Sequence, residues 1–159
     1  MMRVGVAADH EGYELKEEIS ASLDGAGFEI RDFGDHILKL DDDYPDFVIP
    51  LARAVSRHEV DRGIAFCGSG IGACIASNKV GDVRAGLIHD VFSARQGVED
   101  DNMNVICIGA RLVSFSFALE LVQCFLQASF SGEPRHQRRL EKISKLEEME
   151  IQKCTQTLY

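Results

Sequence analysis

No apolar run in this sequence approaches the ~18 residues a membrane-crossing helix needs, so none of it is expected to span a bilayer. The opening "MMRVGVAADH" runs straight into an apolar stretch. It lacks the charged segment and long hydrophobic segment of a secretion signal. Cysteine is sparse and odd in number, with five residues at Cys67, Cys74, Cys107, Cys124 and Cys154, none in a C-x-x-C pair. That argues against a structural zinc site or a disulfide framework, and the expectation is a cytoplasmic protein with reduced thiols and no bound metal. Basic residues are in deficit, 17 Lys and Arg against 26 Asp and Glu, a formal net charge of −9. A general nucleic-acid-binding or acidic-membrane-binding surface is thereby excluded, and any anionic ligand must be met by a local cluster of cations. Repeats, low-complexity tracts and linkers are also missing, and 159 residues suffice for one domain, 1–159, with a real core.

What is present is an alternation of apolar runs and amphipathic segments. "RVGVAA", "FEIRDFG", "RGIAFC", "VRAGLIHD" and "NVICIGA" read as five strands. Between them lie helical patterns. One carries Leu15, Ile19 and Leu23 and closes on Gly25 and Gly27. Another follows Pro45 through Val48, Leu51, Ala52 and Val55. Further helices cover "GACIASNKV", Val91–Glu99 and "SFSFALELVQCFLQASF". Nearly continuous apolar strands predict a parallel sheet covered on both faces, hence an α/β fold, a three-layer α/β/α Rossmann-like sandwich with five parallel strands. One more helix is expected from about 135, where Leu140, Ile143 and Leu146 are spaced to pack on a neighbouring subunit, with fraying after about 150.

The stretch "CGSGIGA" ends the third strand and opens a helix, and in open α/β sheets ligands sit at that end of the strands. Its free N–H groups favour negative charge. Three readings compete. Gly68, Gly70 and Ala73 fit a dinucleotide fingerprint with Asp90 about 20 residues on, but that fingerprint normally follows a first strand. A tight turn with a buried cysteine is the plainest reading, and it suits Cys74, Cys107 and Cys124, each within an apolar pattern. For Cys67 a third reading is open: a thiol whose thiolate is stabilised at a helix start, removing a proton from carbon while loop N–H groups hold the oxyanion.

The residues Ala8-Asp9-His10, Tyr44-Pro45-Asp46, Cys67-Gly68-Ser69-Gly70-Ile71-Gly72, Asn78-Lys79, Arg84-Ala85, Asn104-Val105, Gly109-Ala110-Arg111 and Arg135-His136-Gln137-Arg138-Arg139 occur in that order. As a set they make the chain, from about residue 2 to 148, resemble the type B ribose-5-phosphate isomerases and their relatives acting on galactose 6-phosphate and allose 6-phosphate. The resemblance implies a cofactor-independent aldose–ketose isomerase working through a cis-enediolate. Some relatives use this cysteine as the base and others a glutamate in the loop, where this chain has Ala73. Cys67 is therefore the implied base and Ser69 the implied proton shuttle between O1 and O2. The backbone of Gly68, Gly70, Ile71 and Gly72 is the implied anion hole. His10, Arg111, Arg135 and Arg139 match phosphate ligands, some of them supplied across a homodimer or a dimer of dimers. Arg135 and Arg139, four apart, fall on one helix face, and guanidinium suits phosphate; a solvated basic helix start is the plain alternative. Asp9 matches a sugar ligand and Asn104 a contact to sugar hydroxyls, while Tyr44 borders the sugar pocket. A helix cap for Asp9, a loop anchor for Tyr44 and a turn residue for Asn104 are the structural alternatives.

One departure stands out. Many relatives carry His-Asn before the fifth strand, where the histidine opens the furanose ring. Here that pair is Asp100-Asp101, and a carboxylate titrates well below imidazole. Either another histidine substitutes, His89 or His136, or ring opening is left to water, or the substrate needs none, as for a tetrose 4-phosphate. A sugar-phosphate-binding module without catalysis is the alternative of another class, though binding alone needs no thiol base.

Overall fold

The structure is a computed structural model that describes residues 1–156, with side chains described as far as Gln152. The expected alternation is found. It runs β1 (Arg3–Ala8), α1 (Tyr13–Gly25), β2 (Glu29–Asp32), α2 (Pro45–Ser56), β3 (Arg62–Cys67), α3 (Ile71–Ser77), β4 (Ala85–Leu87), α4 (Val91–Asp101), β5 (Val105–Gly109), α5 (Phe115–Gln127) and α6 (Pro134–Gln156). The last segment is helical to Gln156, and 157–159, with the side chain of Cys154, lie outside the described residues. Among the described residues no helix is long and apolar enough to cross a membrane.

All five strands are parallel, in the order β2-β1-β3-β5-β4. Chain order alone does not give this, because β5 inserts between β3 and β4. Burial explains it. Every residue of β5 is buried, as are the last five of β1 and of β3, so these apolar strands take the centre. β2 alternates exposed and half-buried positions and β4 is only three residues long, so both are edges. The strand expected over "VRAGLIHD" is regular only at Ala85–Leu87, although the chain stays beside β5 at both ends: the Val105 N–H donates to the Arg84 carbonyl at 3.3 Å and the Ile88 N–H to the Cys107 carbonyl at 3.0 Å.

Side chains alternate along the central strands. Val4, Val6, Ile64, Phe66, Ile106 and Ile108 pack against α1, α4 and α5, through Ile19, Ala94, Leu121 and Phe125 among others. Ala7, Ala65, Cys67, Val105 and Cys107 face α2 and α3, through Val48, Leu51, Val55 and Ala73. Smaller strand residues on the second face let α2 and α3 sit close, and Cys67 is the last residue of that face. Large side chains such as Phe66 and Phe125, fully buried, each contribute ~1.5–3 kcal/mol. Lys16 is also fully buried. Its Nζ donates to Asp32 Oδ2 at 2.6 Å and to the Asp35 carbonyl at 2.8 Å, which ties α1 to the loop running from β2 to α2.

Candidate functional site

The chain leaves β1 and travels to β2 on one side, then returns to β3 on the other. The carboxyl ends of β1 and β3 therefore bound the crevice where such sheets take ligands. At β3 the loop after Cys67 turns through Gly70 at φ +78°, a left-handed conformation that a side chain resists, and α3 begins at once. This turn aims the Gly70 N–H at Cys67 Sγ, 3.1 Å away. Ser69 Oγ accepts from the Ile71 N–H at 3.3 Å. Tyr44, at the start of α2, lies flush on the first turn of α3: a Cβ on Gly72 would come within 2.5 Å of the tyrosine Cζ. The end of β5 closes the other side, with the Ala110 N–H donating to the Cys67 carbonyl at 2.9 Å and the Arg111 N–H to the Gly68 carbonyl at 3.1 Å.

At β1 the sequence Asp9-His10-Glu11 enters the same crevice. Gly12, the cap of α1, has no side chain to offer, and Asp9 Oδ1 supplies the acceptor, taking the N–H groups of Glu11 at 3.1 Å and Gly12 at 3.2 Å. Asp9 thus caps a helix as well as lining the cleft. Burial pushes its carboxyl above the ordinary range, the Gly12 N–H working against that. His10 is held by Asp42, whose Oδ1 receives the His10 backbone N–H at 3.0 Å and lies 2.6 Å from Nδ1. That hydrogen bond raises the imidazole above its ordinary value. Arg111 makes a two-pronged ion pair with Glu11, Nε donating to Oε2 at 2.7 Å and the terminal amino group to Oε1. The guanidinium keeps the Glu11 carboxyl below the usual range. Asp9, Glu11, Tyr44, Cys67, Ser69 and Arg111 line one cleft of ≈ 450 Å³. A thiol under a donor, a run of loop amides, a guanidinium and a nearby imidazole suit the deprotonation of a carbon acid bearing an anionic tail.

Asp42 and Glu11 were not anticipated from sequence. Their partners are 32 and 100 positions away, and an aspartate in "DDD" or a glutamate before a helix carries no local mark of function.

Asp100, Asp101, Asn104, Arg135 and Arg139 are not brought to this cleft. Arg84 precedes β4, and its Nε donates to the Asn102 carbonyl at 2.8 Å, so the end of α4 lies at the amino edge of the sheet. The guanidinium of Arg62, at the start of β3, reaches the Phe125 and Ala128 carbonyls, so α5 ends at that edge too. α6 starts from there, with the Ser131 N–H on the Glu99 carbonyl at 2.9 Å. A five-residue strand at ~3.3 Å per residue separates the two edges by ~16 Å. Asn104, expected as a sugar contact, lies at that opposite edge. Its Oδ1 accepts from the Arg84 N–H and its Nδ2 donates to the Asp82 carbonyl, both at 2.8 Å, so its amide is fully taken up by backbone. Asp101 lines a separate cavity of ≈ 470 Å³ among β4, α4 and α6. Asp100 accepts from Gln96 Nε2 at 2.7 Å and lies 3.3 Å from Nε2 of His136, a side chain only 3% exposed. Arg135 pairs with Glu133 at 2.9 Å. His89 sits apart from Asp100, its Nε2 accepting the Gly109 N–H at 3.3 Å. Asp90 caps α4 through the Ser93 N–H at 2.7 Å, which accounts for it without a nucleotide.

The other thiols divide. Cys107 is fully buried, and Cys74 and Cys124 are half-buried, all free. Cys74 is hydrogen-bonded to Cys107 and is thereby lowered to about 7, while the Cys107 thiol is pushed up.

The family model described as Ribose/Galactose Isomerase matches residues 4–143. A Bacillus subtilis protein named putative sugar phosphate isomerase YwlF is 39% identical over 150 residues, 94% of this chain and 100% of its own length. The D-erythrulose-4-phosphate isomerase of Pectobacterium atrosepticum is 35% identical over 132 residues, 83% of this chain and 87% of its own. Among solved structures, ribose-5-phosphate isomerase B of Mycoplasma genitalium with bound ribulose-5-phosphate superposes with a TM-score of 0.88 at 39% identity, covering 92% of this chain and 97% of that one.

Proposed function

The chain belongs to the ribose/galactose isomerase family, and on that premise we propose that it interconverts ribose 5-phosphate and ribulose 5-phosphate, with Cys67 as the base. The observation that carries this reading is the placement of Cys67 Sγ under the Gly70 N–H, in one cleft with Ser69 and Arg111. The Cys67 thiolate takes the proton from C2 of the open-chain aldose. The C–H electron pair becomes the C1–C2 double bond, and O1 carries the negative charge toward the loop amides, which stabilise it most in the transition state. Ser69 moves the O2 proton to O1. The thiol then returns its proton to C1, and O2 becomes the ketose carbonyl. The phosphate is met by His10 and Arg111. The base must be a reduced thiol, which the cytoplasm supplies.

The site residues fall at opposite edges of one sheet, so we further propose that Arg135 and Arg139 of a second copy complete the phosphate clamp of this cleft. Support comes from exposed apolar residues on three adjoining elements, Ile71 and Ile75 on α3, Leu87 on edge strand β4 and Phe92 on α4, a surface suited to a homodimer.

A second substrate reading, a tetrose 4-phosphate, is favoured by the carboxylate of Asp100 where relatives open a furanose ring. A tetrose 4-phosphate has its O4 esterified and forms no such ring.

The test is proton NMR in D₂O of ribose 5-phosphate with wild type and Cys67→Ala. Deuterium entering C2 in wild type and falling ~10²–10⁴-fold in the variant supports the reading. Exchange surviving in the variant sinks Cys67 as the base, and no exchange in wild type sinks the pentose assignment.

A further inference from the structure

Glu11 is an acid placed among the cleft's own cations. Its carboxylate meets Arg111 through both oxygens, and its Oε1 stands 3.5 Å from His10 Nε2. A single side chain therefore engages Arg111, which lines the cleft, and stands next to the His10 ring beside it. The paired edge of a carboxylate on a guanidinium fork is the same geometry a phosphate would adopt there, so the two ligands compete for one set of donors. Glu11 is also free to leave. Its backbone is fixed by the Asp9 Oδ1 acceptor, while its side chain is 30% exposed and Arg111 is 67% exposed.

We propose that Glu11 is the affinity-setting residue of the anion site: an internal ligand that holds Arg111 in place in the empty cleft and must rotate off it when a phosphate monoester enters. This rests on the reading of His10 and Arg111 as phosphate ligands. Two physical terms act in the same direction. The Glu11–Arg111 pair must be broken, which for a partly exposed pair is a small cost, and a carboxylate left near the cleft repels a phosphate dianion, which is a larger one. The gain is a guanidinium held in orientation before the substrate arrives.

Titration of inorganic phosphate by calorimetry at constant ionic strength reads the effect without turnover. Glu11→Gln keeps the side chain's size and removes its charge. It is expected to bind phosphate about five- to thirtyfold more tightly than wild type, the range between an exposed ion pair and the added repulsion of a dianion. The KM for ribose 5-phosphate falls with it. Glu11→Ala shifts affinity the same way, and in Glu11→Gln/Arg111→Met the gain disappears. Equal or weaker phosphate binding by a folded Glu11→Gln overturns the proposal, as does phosphate binding to neither protein. The pentose isomerase reading fails separately: tighter phosphate binding by Glu11→Gln with no C2 exchange of ribose 5-phosphate in wild type would sink that assignment and leave this one standing.

Discussion

His10 Nδ1 lies 2.6 Å from Asp42 Oδ1, and the same oxygen receives the His10 backbone N–H, so one carboxylate fixes both the ring and the chain that carries it. This pairing raises the imidazole above its ordinary value of 6.5, chiefly through the hydrogen bond to Asp42. Removing the charge by Asp42→Asn lowers it, so a smaller fraction is cationic at neutral pH. The pH at which KM begins to climb should move down, with kcat changed less. The sign for stability follows. A group raised in the folded state contributes stability that is fully present below its unfolded value near 6.5 and is lost as pH rises through the raised folded value. The Asp42→Asn penalty in Tm should therefore be largest in mildly acid solution and fade toward alkaline pH. An unchanged KM–pH profile would remove Asp42 from the site.

Gly70 is where backbone conformation and chemistry meet. At φ +78° an alanine is strained by ~1–2 kcal/mol. Its Cβ would also fall 2.6 Å from Leu87 Cδ1 and 3.0 Å from the Gly109 nitrogen. Gly70→Ala should lower Tm by several degrees, move the Gly70 N–H off Cys67 and reduce kcat by at least tenfold. Retention of full kcat in a destabilised Gly70→Ala would show that this donor is not used.

Much of this was legible because the relevant signals are local. Continuous apolar runs gave β1, β3 and β5, and a glycine loop following one of them located Cys67. Strand order was not legible, because the insertion of β5 between β3 and β4 is set by long-range pairing that no local pattern in "VRAGLIHD" or "NVICIGA" marks. Asp42 and Glu11 act through partners far along the chain. For Asn104 a local motif pointed to a ligand, and within this chain both ends of its amide bond to backbone.

Asp100 and His136 offer a test of substrate class. Nε2 of the buried imidazole is 3.3 Å from Asp100 Oδ1 and accepts the Arg135 Nε–H at 3.0 Å. If that pair opens a furanose ring, His136→Gln should slow ribose 5-phosphate turnover at least tenfold and leave erythrose 4-phosphate turnover within about twofold. Equal slowing of both would mark a structural role in docking α6 on α4. Wild-type preference for the tetrose would favour the ring-free substrate instead.

The split of the site between sheet edges makes the strongest demand. Cys67, His10 and Arg111 lie at the carboxyl edge, while Arg135 and Arg139 begin α6 at the amino edge, ~16 Å away across β5. No rotamer of an arginine spans that gap and also wraps round the sheet, so the proposed phosphate clamp requires Arg135 and Arg139 to come from a second copy. Two inactive proteins should therefore rescue one another. On the proposed reading Cys67→Ala lacks the base, and Arg135→Ala/Arg139→Ala lacks the distal cations. Each homodimer has two defective sites. A mixed dimer has one site with both defects and one with neither. Random reassortment makes half the dimers mixed, so total activity should recover to about a quarter of wild type. The recovery should appear only after subunits exchange, for example on refolding together. Mixing with proven exchange and no recovery would mean that each chain carries its own complete site, and the second-copy clamp would be abandoned.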